Sequence, residues 1–181
     1  MKKILAASIL AGALLVSACN SSSGGAPVAT GESVTSGPLQ SSFGAPVDVM
    51  AAGGEKLGTV TFLEIENDPK CTKRYGPITD PKGMFVAVKM QVSTTPSHDE
   101  YKFMRTTGRD FSEITPAGIT KSADSNEYNC LEDRDDFGSP FQASSTYEGW
   151  VLLDVSDPGS RLSYLPQYAP LGTSAILLPP R

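Results

Sequence analysis

The alternation of apolar and polar side chains is clearest between Gly83 and Val92, where Met84, Val86, Val88, Met90 and Val92 share one face. Phe85, Ala87, Lys89 and Gln91 take the other. A period of two sustained over this length is incompatible with a helix, whose faces repeat every 3.6 residues, so it predicts a β-strand. Residues 58–66 read as a second strand, with Thr61, Leu63 and Ile65 on one side and Val60 and Phe62 on the other. Residues 147–155 read as a third. Tyr147, Gly149, Val151, Leu153 and Val155 form one face there, and Trp150 and Leu152 lie on the reverse. Apolar residues on both sides predict a central strand. Shorter runs follow the same pattern: an opening strand at 45–49, one beginning at Tyr101-Lys102-Phe103-Met104, another at Asp110-Phe111 after a Thr107-Gly108-Arg109 turn, one marked by Leu162 and Tyr164, and a last one at 175–178. Ala52-Gly53-Gly54, Thr94-Thr95-Pro96-Ser97 and Asp157-Pro158-Gly159 punctuate them as turns. Residues 67–82 read as an irregular connection and 112–140 as mostly surface loop. Seven to nine strands with no amphipathic helix and no internal repeat predict an all-β fold, an antiparallel β-sandwich.

The first 45 residues follow different rules. Met1-Lys2-Lys3 is a short cationic start, and residues 4–16 are only apolar or small, the layout of a secretory signal. This run is short of the roughly 20 apolar residues a spanning helix needs. Val16-Ser17-Ala18-Cys19 resembles the lipobox of bacterial lipoproteins. That resemblance implies a diacylglycerol on Cys19 and cleavage before it, the alternative being an ordinary signal peptide cut near Ala18. Each buried methylene contributes about 0.8 kcal/mol, so two acyl chains hold where a single one binds marginally. Residues 20–45 are rich in Ser, Gly, Thr, Ala and Pro, with Glu32 as the one charge. Such a composition cannot repay its ordering entropy and predicts a disordered tether. A coil of about 25 residues spans roughly 25 to 30 Å and would lift a domain off a membrane. Phe43 is the expected point of first docking. The expected organisation is a signal peptide at 1–18, a lipidated Cys19 with its tether at 19–45, and a sandwich at 46–181.

Beyond the signal the chain keeps 13 basic residues, 15 less Lys2 and Lys3, against 20 acidic ones, a formal net charge of −7. That excludes a nucleic-acid binder and argues against attachment through anionic headgroups, which attract polybasic segments. Membrane attachment falls to the lipid on Cys19. Cys71 and Cys130 then remain, and two thiols in an exported chain are read first as a disulfide, with free thiols or a redox pair as the alternatives. No Cys-x-x-Cys is present, so nothing points to a lowered thiol pKa.

The order of a Gly-Met-Phe-Val-Ala-Val-Lys strand (83–89), an aromatic-bearing segment, a Gly-Arg-Asp-Phe turn (108–111) and a Gly-Trp-Val-Leu-Leu-Asp-Val strand (149–155) resembles a family of bacterial exported domains of unknown function with a telokin-like, immunoglobulin-like sandwich. The resemblance covers about 58–164 and carries over no catalytic residue. Immunoglobulin domains proper show Cys, Trp, Cys in that order. Here Trp150 follows both cysteines, so a Cys71–Cys130 bridge is expected to tie loops rather than link the sheets.

Candidate chemistry is sparse. His98, the one histidine, lies in Pro96-Ser97-His98-Asp99-Glu100. Neighbours in one loop do not align a hydroxyl, an imidazole and a carboxylate for nucleophilic catalysis, so His98 reads as an exposed turn residue. A single histidine also makes zinc a poor fit. The cluster Glu132-Asp133-Arg134-Asp135-Asp136 offers hard oxygens for calcium, yet Asp133, Asp135 and Asp136 lack the EF-hand spacing, and a solvated acidic loop is the other reading. Trp150 reads as core. Tyr128, Phe137 and Phe141 stand out as a ligand-contact loop, since aromatics in loops over a rigid sandwich commonly bind, the other reading being that they cap the end of the sandwich. No catalytic, cofactor or metal residue is assigned. The leading expectation is therefore a non-enzymatic binding or adaptor module, lipid-anchored on the extracytoplasmic face of the cell membrane, meeting a protein or envelope partner through its loops. The alternatives are a small hydrolase whose carboxylates, such as Glu132 or Asp135, meet a distant Asp only in the fold, and a passive surface lipoprotein.

Overall fold

The computed structural model describes residues 37–72, 76–103, 105–127, 130–138 and 140–181. The signal, Cys19, the tether as far as residue 36, and Tyr128 lie outside these residues. Among the described residues nine strands form: β1 Leu39–Gln40, β2 Pro46–Met50, β3 Lys56–Asn67, β4 Met84–Thr94, β5 Phe111–Ile114, β6 Thr120–Ser122, β7 Thr146–Val155, β8 Arg161–Tyr164 and β9 Ile176–Leu177. They make two sheets, one of four strands in the order β2-β3-β4-β7 and one of five in the order β1-β9-β8-β5-β6. The expected β-sandwich is present, with one departure from antiparallel pairing, since β1 runs parallel to β9. Strand pairing is already present inside the stretch read as tether: the Leu39 N–H donates to the Ala175 carbonyl at 2.8 Å and the Ser41 N–H to Leu177 at 3.1 Å.

The four-stranded sheet follows the alternation closely. Val86, Val88, Met90 and Val92 of β4 are wholly buried and meet Val60 and Phe62 of β3 and Leu153 and Val155 of β7 in the core. Tyr164 of β8 presents its ring across the sandwich to Phe62 at 6.2 Å and, within its own sheet, to Phe111 of β5 at 5.1 Å. Burying an aromatic or aliphatic side chain of this kind contributes about 1.5–3 kcal/mol, so this layer is the main source of stability.

One expectation about β3 is overturned by a bulge. Phe62 pairs with Met90 but Glu64 pairs with Lys89, which leaves Leu63 as an extra residue. The inward parity changes there, so Ile65 joins Val60 and Phe62 on the core face, opposite Val88, rather than lying on the reverse side.

A second correction concerns β7, which is an edge strand and not a central one. Its outer backbone is covered by the segment that follows β6. The Asp154 N–H donates to the Ala123 carbonyl and the Trp150 N–H to the Asp135 carbonyl, each at 2.9 Å, with an isolated bridge between Asp124 and Leu153. An exposed edge is a template for unwanted pairing, and this strap removes it. Gly149 is required for the fit, because a Cβ there would lie 2.8 Å from the Phe137 nitrogen. The region read as mostly surface loop thus contains β6, most of β5 and the buried Ala123, Ser125, Glu127 and Cys130. Cys130 is disulfide-bonded to Cys71, tying the strap to the β3–β4 connection as a loop-to-loop bridge.

The strand expected at Tyr101-Lys102-Phe103-Met104 is replaced over its described residues by a turn, in which the Lys102 and Phe103 N–H groups both donate to the Asp99 carbonyl. The turn drives Phe103 into the core at 1% exposure and leaves Tyr101 at 77%.

Short strands give the five-stranded sheet few ladder bonds, and buried carboxylates hold it instead. Asp110 ends a 3-10 turn, Gly108–Asp110. Its carboxylate accepts the Thr107 and Gln167 N–H groups, each at 2.6 Å, and its carbonyl accepts Leu165 N–H at 2.8 Å. Burial pushes the Asp110 carboxyl up, and the N–H donors from Thr107 and Gln167 offset this only in part. Glu113 is 1% exposed and accepts the Ser156 N–H at 3.0 Å as well as the Ser156 hydroxyl. Burial alone would raise Glu113, but these donors hold it below the usual carboxylate value.

Candidate functional site

A cleft of about 420 Å³ opens along the outer side of β7, where the chain crosses from β4 to β5. Trp150 and Leu152, the outward residues of β7, and Phe137 from the strap supply its apolar surface, with Val151 beside them. The crossover, Arg105 to Arg109, makes one wall and Asp124, Ser125 and Glu127 the other, with Asp136 at the rim. The two walls touch at Gly108, where a Cβ would displace the Asp124 carboxylate from its present position.

The charges fall into two kinds. Glu127 is buried and accepts the Thr79 N–H at 2.9 Å, so it serves as a backbone cap for the β3–β4 connection. Asp124 faces Arg109 at 3.6 Å, with that arginine side chain 58% exposed. An ion pair so long and wet contributes little stability and leaves the guanidinium open to a ligand. Arg105 and Asp136 are exposed and make no ion pair among the described residues. The cleft therefore offers two accessible guanidiniums and an aromatic strip, with carboxylates alongside. Arginine forks match carboxylates in bidentate fashion, and aromatic faces take apolar or cationic groups.

Trp150 departs from the reading as core. It is partly exposed, and the Arg134 guanidinium stacks over its ring at 4.3 Å. Arg134 in turn pairs with Glu66 at 2.6 Å, pinning the strap across the outer face of the sheet.

Of the aromatic contact loop, Phe137 lines the cleft, whereas Phe141 is fully buried, stacked on Tyr147 at 4.4 Å and edge-on to Phe103 at 5.8 Å. Phe141 is a core residue and not a ligand contact. His98 is not an exposed turn residue: its two ring nitrogens are buried without a hydrogen-bond partner, and its ring lies 6.4 Å from Phe103. Asp99, its neighbour, accepts the Tyr101 N–H and faces Lys102, so no Ser-His-Asp line forms.

Neither Glu132 nor Asp135 lines the cleft. Asp133 accepts the Thr72 hydroxyl at 2.7 Å beside the disulfide. Among the described residues, no group of three or more His, Cys, Asp or Glu side chains is gathered as a metal site, and no helix is long and apolar enough to cross a membrane. The crossover arginines and Asp124 escaped the sequence reading because they are dispersed along the chain. The available signal was Gly108-Arg109, read only as a turn.

No family model matches the chain, and no curated protein matches it in sequence. Among solved structures, it is similar to the crystal structure of a secreted protein from Mycobacterium tuberculosis, MPT63, at 12% identity and a TM-score of 0.48, over 79% of this chain and 98% of that one.

Proposed function

We propose that this chain is a non-enzymatic binding module of the bacterial envelope, anchored by lipid on Cys19, that takes a peptide segment of a partner protein in the β7 cleft. The observation that carries the reading is the pairing of two accessible guanidiniums, Arg105 and Arg109, with the half-buried strip of Trp150 and Phe137. A carboxylate of the partner displaces Asp124 from Arg109, and an apolar side chain next to it covers the aromatic strip. The volume of about 420 Å³ accommodates a few side chains. Export is supported by the lipobox resemblance and by the Cys71–Cys130 disulfide, a bond that persists in oxidising compartments.

The experiment is site-specific photo-crosslinking from position 137 in intact cells, comparing the native chain with an Arg105→Glu/Arg109→Glu variant. The expected result is one dominant crosslinked protein that is lost in the variant while its melting temperature stays within a few degrees of native, since exposed charges contribute little to stability. An identical crosslink in the variant would remove the arginines from the binding role.

A further inference from the structure

One end of the sandwich is built differently from the rest of the surface. The loop that joins β8 to β9 carries Leu165 at 39% exposure, Tyr168 at 49% and Leu171 at 97%. Leucines so exposed on one loop lie outside the ordinary scatter of single surface apolar residues. The chain bears no charged side chain between Arg161 and Arg181, although it holds 20 acidic and 15 basic residues in all. Beside this loop lies the turn with Tyr101, 77% exposed, and a shallow crevice lined by Lys102, Arg105 and Tyr168 joins the two. Exposed leucine with tyrosine is the composition that settles at the level of lipid headgroups, and the Lys102 ammonium behind them is held by Glu55 and Asp99. The loop itself carries no acidic residue, and of the two on the neighbouring turn Asp99 is paired with Lys102 while Glu100 is exposed.

The start of the described chain names the occupant. β1 runs parallel to β9 and Leu39 donates to Ala175, so residue 37 emerges beside residues 173–175, at the same end as the loop. Seventeen residues lie between Cys19 and Gly37. A Ser/Gly-type coil of that length reaches about 20–25 Å, short enough to keep the loop at high effective concentration near the surface that holds the lipid.

We propose that the exposed loop 165–172 seats in the interfacial layer of the bilayer to which Cys19 is attached, with Leu171 as the inserting side chain. This rests on the lipid-anchor reading. The anchor and the loop then fix two points of the domain, so the sandwich stands end-on with its 115–119 turn, at the far end of β5, pointing away from the membrane.

The test uses the full lipidated chain reconstituted into phosphatidylcholine vesicles with brominated acyl chains. Leu171→Trp and Ile119→Trp are compared after subtracting the signal of Trp150 in the parent. Both positions are exposed, so both variants fold. The expected result is a blue-shifted emission and loss of most of the fluorescence for the indole at position 171, with none at position 119. Equal quenching at both positions, or at neither, overturns the docking. So does a blue shift without vesicles that grows with protein concentration, which would make the loop a contact between copies. Flotation of the parent against Cys19→Ser judges the anchor separately. Flotation that survives Cys19→Ser with quenching at position 171 removes the anchor and keeps the docking, whereas flotation lost in Cys19→Ser without quenching does the reverse. A parent chain that does not float removes both.

Discussion

The two sheets are stabilised in different ways. In the four-stranded sheet β3, β4 and β7 run for 12, 11 and 10 residues, so each adds a long ladder and a continuous apolar face. No strand of the five-stranded sheet exceeds four residues. That sheet is completed by Asp110 and Glu113, whose carboxylates collect backbone donors from three connecting segments. Where strands are long, burial and pairing suffice. Where they are short, a buried anion does the joining, and the groups that donate to it offset its desolvation in part at Asp110 and more than offset it at Glu113.

The largest expected effect lies in the long sheet. Phe62→Ala would open a cavity against Met90 and Tyr164 and should lower the unfolding free energy by about 3–5 kcal/mol, measured by denaturant titration. A loss under about 1 kcal/mol would show that the layer beneath Tyr164 is not the main store of stability. Asp110→Ala probes the short sheet. It strands the Thr107 and Gln167 N–H groups, and at about 1–3 kcal/mol for an unsatisfied buried donor the expected loss is about 2–4 kcal/mol, against almost none for the exposed Glu100→Ala. Equal values for the two would abolish the contrast between the sheets.

The smallest effect is in pH. Glu113 has a folded pKa held below its unfolded value, so its contribution is present above the unfolded value and is lost as pH falls through the folded one. Asp110 is raised, and its burden is present above the folded pKa and is relieved as pH falls from there toward the unfolded value. Glu113→Gln should therefore be less stable than the parent at pH 7, with the gap narrowing as the pH drops below about 4.5. A constant gap from pH 7 to pH 3 would mean that Glu113 does not titrate with folding.

The same division decides what could be read from the sequence. β4 announces itself because Val86, Val88, Met90 and Val92 meet a core on one side at every second position. β3 was legible up to Phe62 and misread beyond it, since a one-residue bulge changes parity without changing composition. β7 looked central because the strap and the cleft put apolar Trp150 and Leu152 on its outer face. β1, two residues long, carries no period at all and was absorbed into the tether. Of the site, Phe137 was visible as an aromatic in a loop. Arg105, Arg109 and Asp124 were not, because their meeting depends on a crossover between sheets that no local pattern encodes.

The pairing of β1 with β9 also bears on mechanics. Any pull delivered through the N-terminus reaches the domain first through this two-residue strand, held by the Leu39 and Ser41 backbone bonds, the Ser41 hydroxyl on Leu177 and a single Arg161–Gln40 contact. Local openings start where few hydrogen bonds are buried. Under load this strand peels away first and releases several residues of chain. The long ladders of β3 and β4 feel the force only after that slack is spent, so the first strand acts as a mechanical fuse ahead of the core.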